Sequence, residues 1–142
     1  MFRTFDPFRF VLVAVSGWMN QRQPHGGVEF VRLQLDLRFG EQHLSSQGKS
    51  GNFESELEDI HRQLPSGTYL KACFKCLYAD YSTSGSGLFG NMLCFRNIKD
   101  KYLAVTNKRD FLAIQDARER EVQEIYLCSE FSVRIPGAGY RA

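Results

Sequence analysis

Apolar and polar residues alternate most clearly between residues 28 and 38. One side of this stretch carries Val31, Leu33, Leu35 and Leu37, and the other carries Arg32, Gln34, Asp36 and Arg38. A period of two predicts a half-buried strand. Residues 9–19 are almost continuously apolar, which predicts a strand covered on both faces. Because Pro24 and the Gly26–Gly27 pair lie between them and favour a turn, we expect the two strands to form an antiparallel hairpin.

A helical spacing appears after the polar residues 40–51, which predict a surface loop. The apolar stripe consists of Phe53, Leu57, Ile60 and Leu64. Asn52 is a residue type that caps helix N-termini, and Pro65 and Gly67 end helices. The sequence therefore predicts one main amphipathic helix over about 53–64, packed on one face of the sheet.

The second half of the chain favours further strands, at residues 68–78, 92–95 and 122–133. A charged turn is expected at 97–101, and the short apolar pieces 102–105 and 111–114 are interpreted as strands. Residues 82–90 are rich in Gly and Ser and predict a long hairpin connection. The predicted fold class is α+β, mostly an antiparallel β-sheet with one helix. We expect a single domain over 1–142, in which residues 1–8 are either packed on the core or a loosely packed or disordered extension.

Composition and charge narrow the functional classes. Hydrophobic residues make up 43% of the chain and charged residues 24%, which is ordinary for a globular protein. A net charge of +2, with basic and acidic residues interleaved, argues against binding to nucleic acid. No stretch approaches the ~18 apolar residues that span a bilayer, so we expect no membrane partner. A cytoplasmic location is the simpler expectation for a chain of this size with few cysteines.

The four cysteines are Cys73, Cys76, Cys94 and Cys128. They are candidates for a four-thiolate zinc site, since Cys73 and Cys76 form a C-x-x-C pair. In an extended strand, however, residues three apart point to opposite faces, and one ion could not bind both sulfurs. A redox pair needs a helix N-terminus, and none is predicted after Cys76. Buried structural thiols without a cofactor are therefore the preferred interpretation, with zinc and redox chemistry left open.

The loop at residues 82–90 is the main candidate for a functional site, because loops on a rigid scaffold often carry binding residues. It lacks the Gly-Lys-Ser/Thr sequence of a phosphate-binding loop. Candidate catalytic residues are Asp80 as a base and Arg96 as an anion-binding group. The remaining candidates are binding residues near the loop or the strand ends, namely Tyr81, Ser84, Leu88, Phe89, Glu130 and Arg141.

A longer motif runs through this region, from the segment CLYADYS at 76–82, through the glycines of the loop, to CFR at 94–96. The motif CLYxDYSxxGxGxFGxMxCFR resembles the signature of an uncharacterised bacterial domain family. Residues 126–131 and 136–141 resemble the C-terminal portion of that family. The resemblance implies a bacterial, single-domain protein, and it supplies no chemistry. It also favours Asp80, Tyr81, Arg96, Glu130 and Arg141 as candidates.

Three hypotheses about function follow. The first is a non-catalytic module that binds another protein, such as an immunity protein that inhibits a toxin, because no catalytic set or cofactor motif assembles and the loop carries aromatic residues. The second is a small hydrolase that uses Asp80 and Arg96. The third is a domain stabilised by zinc. The sequence does not indicate an oligomeric state.

Overall fold

The computed structural model describes residues 11–22, 28–39, 41–83 and 91–141. Two compact units make up the chain, Met1–Thr68 and Tyr69–Ala142. Each unit holds a three-stranded antiparallel sheet and at least one helix, so the predicted α+β class is confirmed. The single domain over 1–142 stays a prediction. Residues 1–8, the turn at Pro24 and the tip of the glycine-rich loop lie outside the described residues.

The first unit is built on the predicted hairpin. Strand β1 (Val11–Arg22) pairs antiparallel with β2 (Val28–Phe39), and β2 pairs with β3 (Gln42–Ser45). The alternation in β2 is confirmed, because Leu33, Leu35 and Leu37 are buried. The loop predicted for residues 40–51 is wrong at 42–45. Those residues form a short strand although their sequence is mostly polar. Backbone pairing with β2, and not burial of apolar side chains, holds the strand in place.

The predicted helix is confirmed as α1 (Phe53–Gln63). Asn52 caps it as expected, since its side chain accepts a hydrogen bond from the Ser55 amide at 2.8 Å. The apolar stripe is buried, with Phe53 at 3%, Leu57 at 4% and Ile60 at 2% exposure, and it packs on β2. The core of this unit lies between the helix and one face of the sheet.

The second unit contains strands β4 (Ala79–Tyr81), β5 (Asn91–Cys94) and β6 (Arg120–Gln123), in the order β4-β5-β6. Between β5 and β6 the chain forms two short helices, α2 (Lys99–Leu103) and α3 (Lys108–Ile114). The strands predicted at 102–105 and 111–114, and the turn at 97–101, are therefore wrong. Short apolar pieces fit a helix or a strand equally well, and here Tyr102 and Phe111 are buried from helices.

Two longer predicted strands are also wrong over most of their length. Residues 68–78 contain a 3₁₀ turn at Cys73–Lys75, and the strand begins only at Ala79. Residues 124–133 leave the β6 ladder after Gln123. The carbonyls of Glu124 and Tyr126 instead accept hydrogen bonds from the amides of Phe74 and Cys73, at 2.9 and 3.1 Å. Backbone groups of the two segments thus satisfy each other outside a regular sheet.

The core of the second unit is aromatic. The ring of Phe95 stacks on Tyr102 with centroids 4.9 Å apart and meets the edge of Phe111 at 5.6 Å. Tyr140 from the C-terminal segment stacks on Phe111 at 4.8 Å. These rings, together with Leu93 and Val105, fix the α2 and α3 helices and the C-terminal residues around the short sheet.

Candidate functional site

Asp80 is the centre of the polar network in the second unit. It lies in the middle of β4, opposite Leu93 of β5, and its side chain is 4% exposed. The Tyr81 amide donates to one carboxylate oxygen at 2.8 Å, and the Tyr102 hydroxyl donates to the other at 3.0 Å. The predicted candidate is therefore a buried carboxylate with two donors, one from its own strand and one from α2.

Two arginines from the C-terminal segment lie near this carboxylate. Arg134 donates through Nη2 to the carbonyls of Cys76 and Ala79. Arg141 donates to the Phe74 carbonyl at 3.0 Å, and its guanidinium lies over the Tyr81 ring at 4.7 Å. Both arginines hold the C-terminal residues against the segment that leads into β4.

The pKa of Asp80 depends on two opposing effects, burial on one side and nearby donors and positive charges on the other. Burial raises the pKa above its usual value, and the donors Tyr81 and Tyr102 with the charges of Arg134 and Arg141 only partly oppose this. Burial and the nearby Asp80 carboxylate also raise the pKa of Tyr102 to about 12. Tyr102 therefore keeps its proton and acts as a donor to Asp80 over the whole physiological range.

Gly139 allows Tyr102 to reach this position. Its φ is +75°, a conformation that favours glycine, and a Cβ placed there would lie 3.0 Å from Cε1 of the Tyr102 ring. Neither Tyr102 nor Gly139 was identified as a site residue from the sequence. The hydrogen bond between Tyr102 and Asp80 joins residues 22 positions apart in different elements, so no local spacing indicates it.

Arg96 belongs to a different group of side chains. Its Nε and Nη2 each donate to a Glu119 oxygen at 2.6 Å, and Nη1 lies 3.0 Å from Glu130. The hydrogen bonds from Arg96 hold the pKa of Glu119 below its usual range. Arg96 and Glu130, two predicted candidates, are thus brought together. Asp80 and Arg96 thus bond to different residues. Their use as a catalytic pair stays a prediction.

The remaining predicted binding residues divide into two sets. Tyr81 and Arg141 contact each other beside Asp80, whereas Glu130 is exposed at the Arg96 group. Ser84, Leu88 and Phe89 lie outside the described residues.

All four cysteines are buried and unpaired by disulfides. The assumption that Cys73 and Cys76 lie in a strand is wrong, because residues 73–75 form a 3₁₀ turn in which the Cys76 amide donates to the Cys73 carbonyl at 3.0 Å. Side chains three apart in such a turn lie on the same side. Even so, within the described ranges no three Cys, His, Asp or Glu side chains have the arrangement that holds a metal ion.

A segment with exposed apolar side chains was not predicted here, because residues 122–133 were assigned to a strand. Seven large hydrophobic side chains of the described residues are exposed, and five of them lie between positions 125 and 135. They are Ile125, Tyr126, Leu127, Val133 and Ile135. Leu127 has the highest exposure of the seven, at 71%. Large exposed apolar side chains concentrated in one segment make that segment a candidate interaction surface.

Comparisons with known proteins give a family and no chemistry. No curated protein and no solved structure matches the chain. In the described part of the chain, no helix has the length and apolar character needed to cross a membrane. Residues 8–79 match the family of unknown function DUF6304. The expectation of an uncharacterised family is confirmed, although only residues 76–79 of the proposed motif fall within the match. Since the match covers 72 of 142 residues, the protein belongs to the family of unknown function DUF6304.

Proposed function

We propose that this chain is a non-catalytic module that binds another protein in the bacterial cytoplasm, in the way that an immunity protein blocks a toxin. The observation that carries the proposal is the set of exposed apolar side chains at residues 125–135, which we call the 125–135 surface. Exposed Ile, Leu and Tyr side chains lose water-accessible area when a partner covers them, and this burial drives association.

The backbone beneath the 125–135 surface is held in place before any partner arrives. The Tyr126 carbonyl accepts from the Cys73 amide at 3.1 Å, and the Ser132 carbonyl accepts from the Leu77 amide at 2.8 Å. The Arg134 amide donates to the Lys75 carbonyl at 3.0 Å. Because the segment is anchored at several points, little conformational entropy remains to be lost when it binds. A preformed apolar surface of this kind suits a protein partner.

Charged groups beside the surface fit the same function. Glu130, with 57% of its side chain exposed, pairs with Arg96, which follows β5. Arg120 stacks on Tyr126, with its guanidinium 4.7 Å from the ring centroid, and donates to the Tyr126 hydroxyl at 3.0 Å. Protein interfaces commonly combine an apolar centre containing Tyr and Arg with a charged rim.

The test is a quantitative pull-down from the native host with the wild type and a Leu127→Ser, Ile135→Ser double variant, followed by affinity measurement with the purified partner. We expect the double variant to weaken binding by about 10-fold or more, since each truncated apolar anchor is worth at least ~1 kcal/mol at an interface centre. The matched control is Leu112→Ser, because Leu112 is also exposed, at 49%, but lies on α3. Equal affinities for the wild type and the double variant would contradict the proposal. A Leu88→Ala, Phe89→Ala variant tests the glycine-rich loop in the same assay.

The second candidate is a small hydrolase that uses Asp80 and Arg96. The raised pKa of Asp80 favours it, since buried carboxylates with raised pKa values serve as general bases in active sites. It ranks second because the guanidinium of Arg96 already faces two carboxylates, Glu119 and Glu130, and an anionic substrate would have to displace them.

A further inference from the structure

Three arginines lie at or near the ends of strands β5 and β6, and they differ in the groups that they bond to. Arg96 and Arg118 each form ion pairs with two carboxylates, at distances between 2.6 and 3.4 Å. Arg120, the first residue of β6, forms no ion pair with a carboxylate of the described residues. It donates instead to two neutral groups, the Tyr126 hydroxyl at 3.0 Å and the Cys128 sulfur at 3.6 Å.

The acidic residues on either side of Arg120 are already bonded to the other two arginines. Both oxygens of Glu119 accept from Arg96 at 2.6 Å, and Glu121 lies 2.6 Å from Arg118. The hydrogen bonds from Arg96 lower the pKa of Glu119 more than the charge of Arg120 does. The Nε of Arg120 is buried and finds no acceptor in the described part of the chain. Since a guanidinium carries several N–H donors, Arg120 retains the capacity to bind a carboxylate of another molecule.

Arg120 lies directly against the 125–135 surface. Its guanidinium is 4.7 Å from the centroid of the Tyr126 ring, which is 38% exposed, and the next residue is Leu127 at 71% exposure. Arg120 itself is half-buried, and the hydrogen bond between its Nη1 and the Tyr126 hydroxyl is open to water. A partner that covers the Tyr126 ring therefore also removes water from this guanidinium.

The free energy of covering an arginine decides what the partner must bring. Removing water from a charged group is costly, and a purely apolar surface returns nothing to the N–H donors that lose their water. A carboxylate accepts from a guanidinium through two parallel N–H groups and also supplies the opposite charge. Tyr and Arg are moreover the residue types that most often form the energetic centre of an interface, where they meet matching groups of the partner. An acidic side chain is therefore the group that suits Arg120.

We infer that the partner of the 125–135 surface presents an apolar segment that carries an Asp or Glu side chain, and that this carboxylate binds Arg120. The inference rests on the proposed function, because it names the chemistry of the partner for the same surface. Charge complementarity selects this occupant, since the exposed carboxylate beside the surface, Glu130, is already paired with Arg96. A second copy of this chain suits Arg120 less well, because its carboxylates next to Arg120 are bonded to Arg96 and Arg118 in the same way.

The experiment selects short peptides from a random library displayed on phage against the immobilised full chain, and then measures the affinity of the selected peptides as synthetic probes. We expect them to carry Asp or Glu beside apolar residues. Replacing that residue by Asn or Gln in the peptide should weaken binding to the unmodified protein by about 10-fold or more, because Arg120 is then covered without a counter-charge. This comparison does not depend on the folding of any protein variant. Arg120→Gln should weaken the acidic peptide by a similar factor and the amide peptide much less. The matched control is Arg118→Gln, which removes an arginine that is already paired and should leave the affinity unchanged.

The Leu127→Ser, Ile135→Ser double variant separates failure of this inference from failure of the proposed function. If the selected peptides lose affinity for the double variant but carry no acidic residue, or bind equally well as amides, the surface binds a partner without a carboxylate and only the inference is wrong. If they bind the double variant as tightly as the wild type, the surface itself is wrong. If no peptide is enriched, the inference fails, and the pull-down with the double variant decides the proposed function. Self-association in sedimentation that the double variant abolishes would assign the surface to a second copy of this chain, which also overturns the inference.

Discussion

Glu56 in the first unit and Asp80 in the second are both buried carboxylates, at 2% and 4% exposure, but their pKa values move in opposite directions. Burial raises the pKa of each. At Glu56 hydrogen bonds from the side chains of Ser46 and Ser50 and from the amides of Ser50 and Gly48 outweigh it, and the pKa falls below its usual range. At Asp80 burial prevails, and the pKa rises.

The difference lies in how each carboxylate is surrounded. Glu56 accepts hydrogen bonds from the loop that precedes its helix. The amides of Gly48 and Ser50 donate to its two carboxylate oxygens at 2.8 and 3.0 Å. Asp80 accepts from one amide and one phenol, and the nearby arginines direct N–H groups at carbonyls. Donors aimed at the carboxylate stabilise its charge, whereas charges that are merely nearby do so less. Burial alone therefore does not mark a functional carboxylate.

Replacing Glu56 with Ala should give the largest effect. The buried Gly48 amide loses its acceptor, and so do the amide and hydroxyl of Ser50, which should cost about 3 kcal/mol of unfolding free energy. Urea unfolding can be followed by the fluorescence of Trp18. Trp18 is the only tryptophan of the chain and lies in β1, so its fluorescence reports on the first unit.

The control for this prediction is Glu56→Gln, which keeps one acceptor oxygen and the shape of the side chain. It should lose about half as much stability as Glu56→Ala. If the two variants lost the same amount, the charge and not the set of acceptors would stabilise the loop. A loss that stayed below about 1 kcal/mol in both would contradict the role assigned to Glu56.

Gly139→Ala should destabilise the Asp80 region by an intermediate amount. A methyl group would meet the Tyr102 ring at 3.0 Å, and the left-handed backbone would add strain, for about 2 kcal/mol in total. Gly137 is the matched control, because its φ is +81° but nothing lies within 4 Å of its Cβ position. Gly137→Ala should therefore cost only about 1 kcal/mol, the backbone part alone.

Hydrogen exchange gives the measurement in the second unit. The Phe95 amide, bonded to the Tyr78 carbonyl at 2.9 Å, should exchange faster in Gly139→Ala than in Gly137→Ala. Equal exchange rates in the two variants would mean that the contact with Tyr102 adds nothing. The position of the Tyr102 hydroxyl at Asp80 would then not depend on the close approach of the C-terminal segment.

The first unit could be predicted from the sequence because its signals are local and long. Eight residues of alternation, 31–38, define β2, and a capped apolar stripe defines α1. Strand β3 was missed because its sequence, QHLS, has no apolar alternation, and it exists only because β2 offers an edge. Even Glu56 has a local explanation, since its partners lie six to ten residues away.

The second unit was harder to predict, because the residues that contact each other there are far apart in the sequence. The pieces at 99–103 and 108–114 are too short for a period to be recognised, and the aromatic packing decides that they are helices. Asp80, Tyr81 and Arg141 were each predicted as candidates, and the structure brings them close to one another, but their functional roles stay predictions. Tyr102 and Gly139 were not predicted as candidates. Apart from two glycines, nothing in the sequence indicates that the C-terminal segment packs on α2.

The smallest predicted effect, and the most direct test of the comparison, is the pH dependence of stability. For Glu56 the folded pKa lies below 4.5, so its contribution is present above that pH and is lost as the pH falls through the folded pKa. For Asp80 the folded pKa lies above 3.8, so its contribution is fully present below that pH and is lost as the pH rises through the folded pKa. Relative to Glu56→Gln, the wild type should therefore lose its advantage on acidification. Relative to Asp80→Asn, it should gain stability on acidification. Unfolding curves from about pH 3 to about pH 7 measure both differences, and slopes of the same sign would show that the two buried carboxylates do not differ as their surroundings indicate.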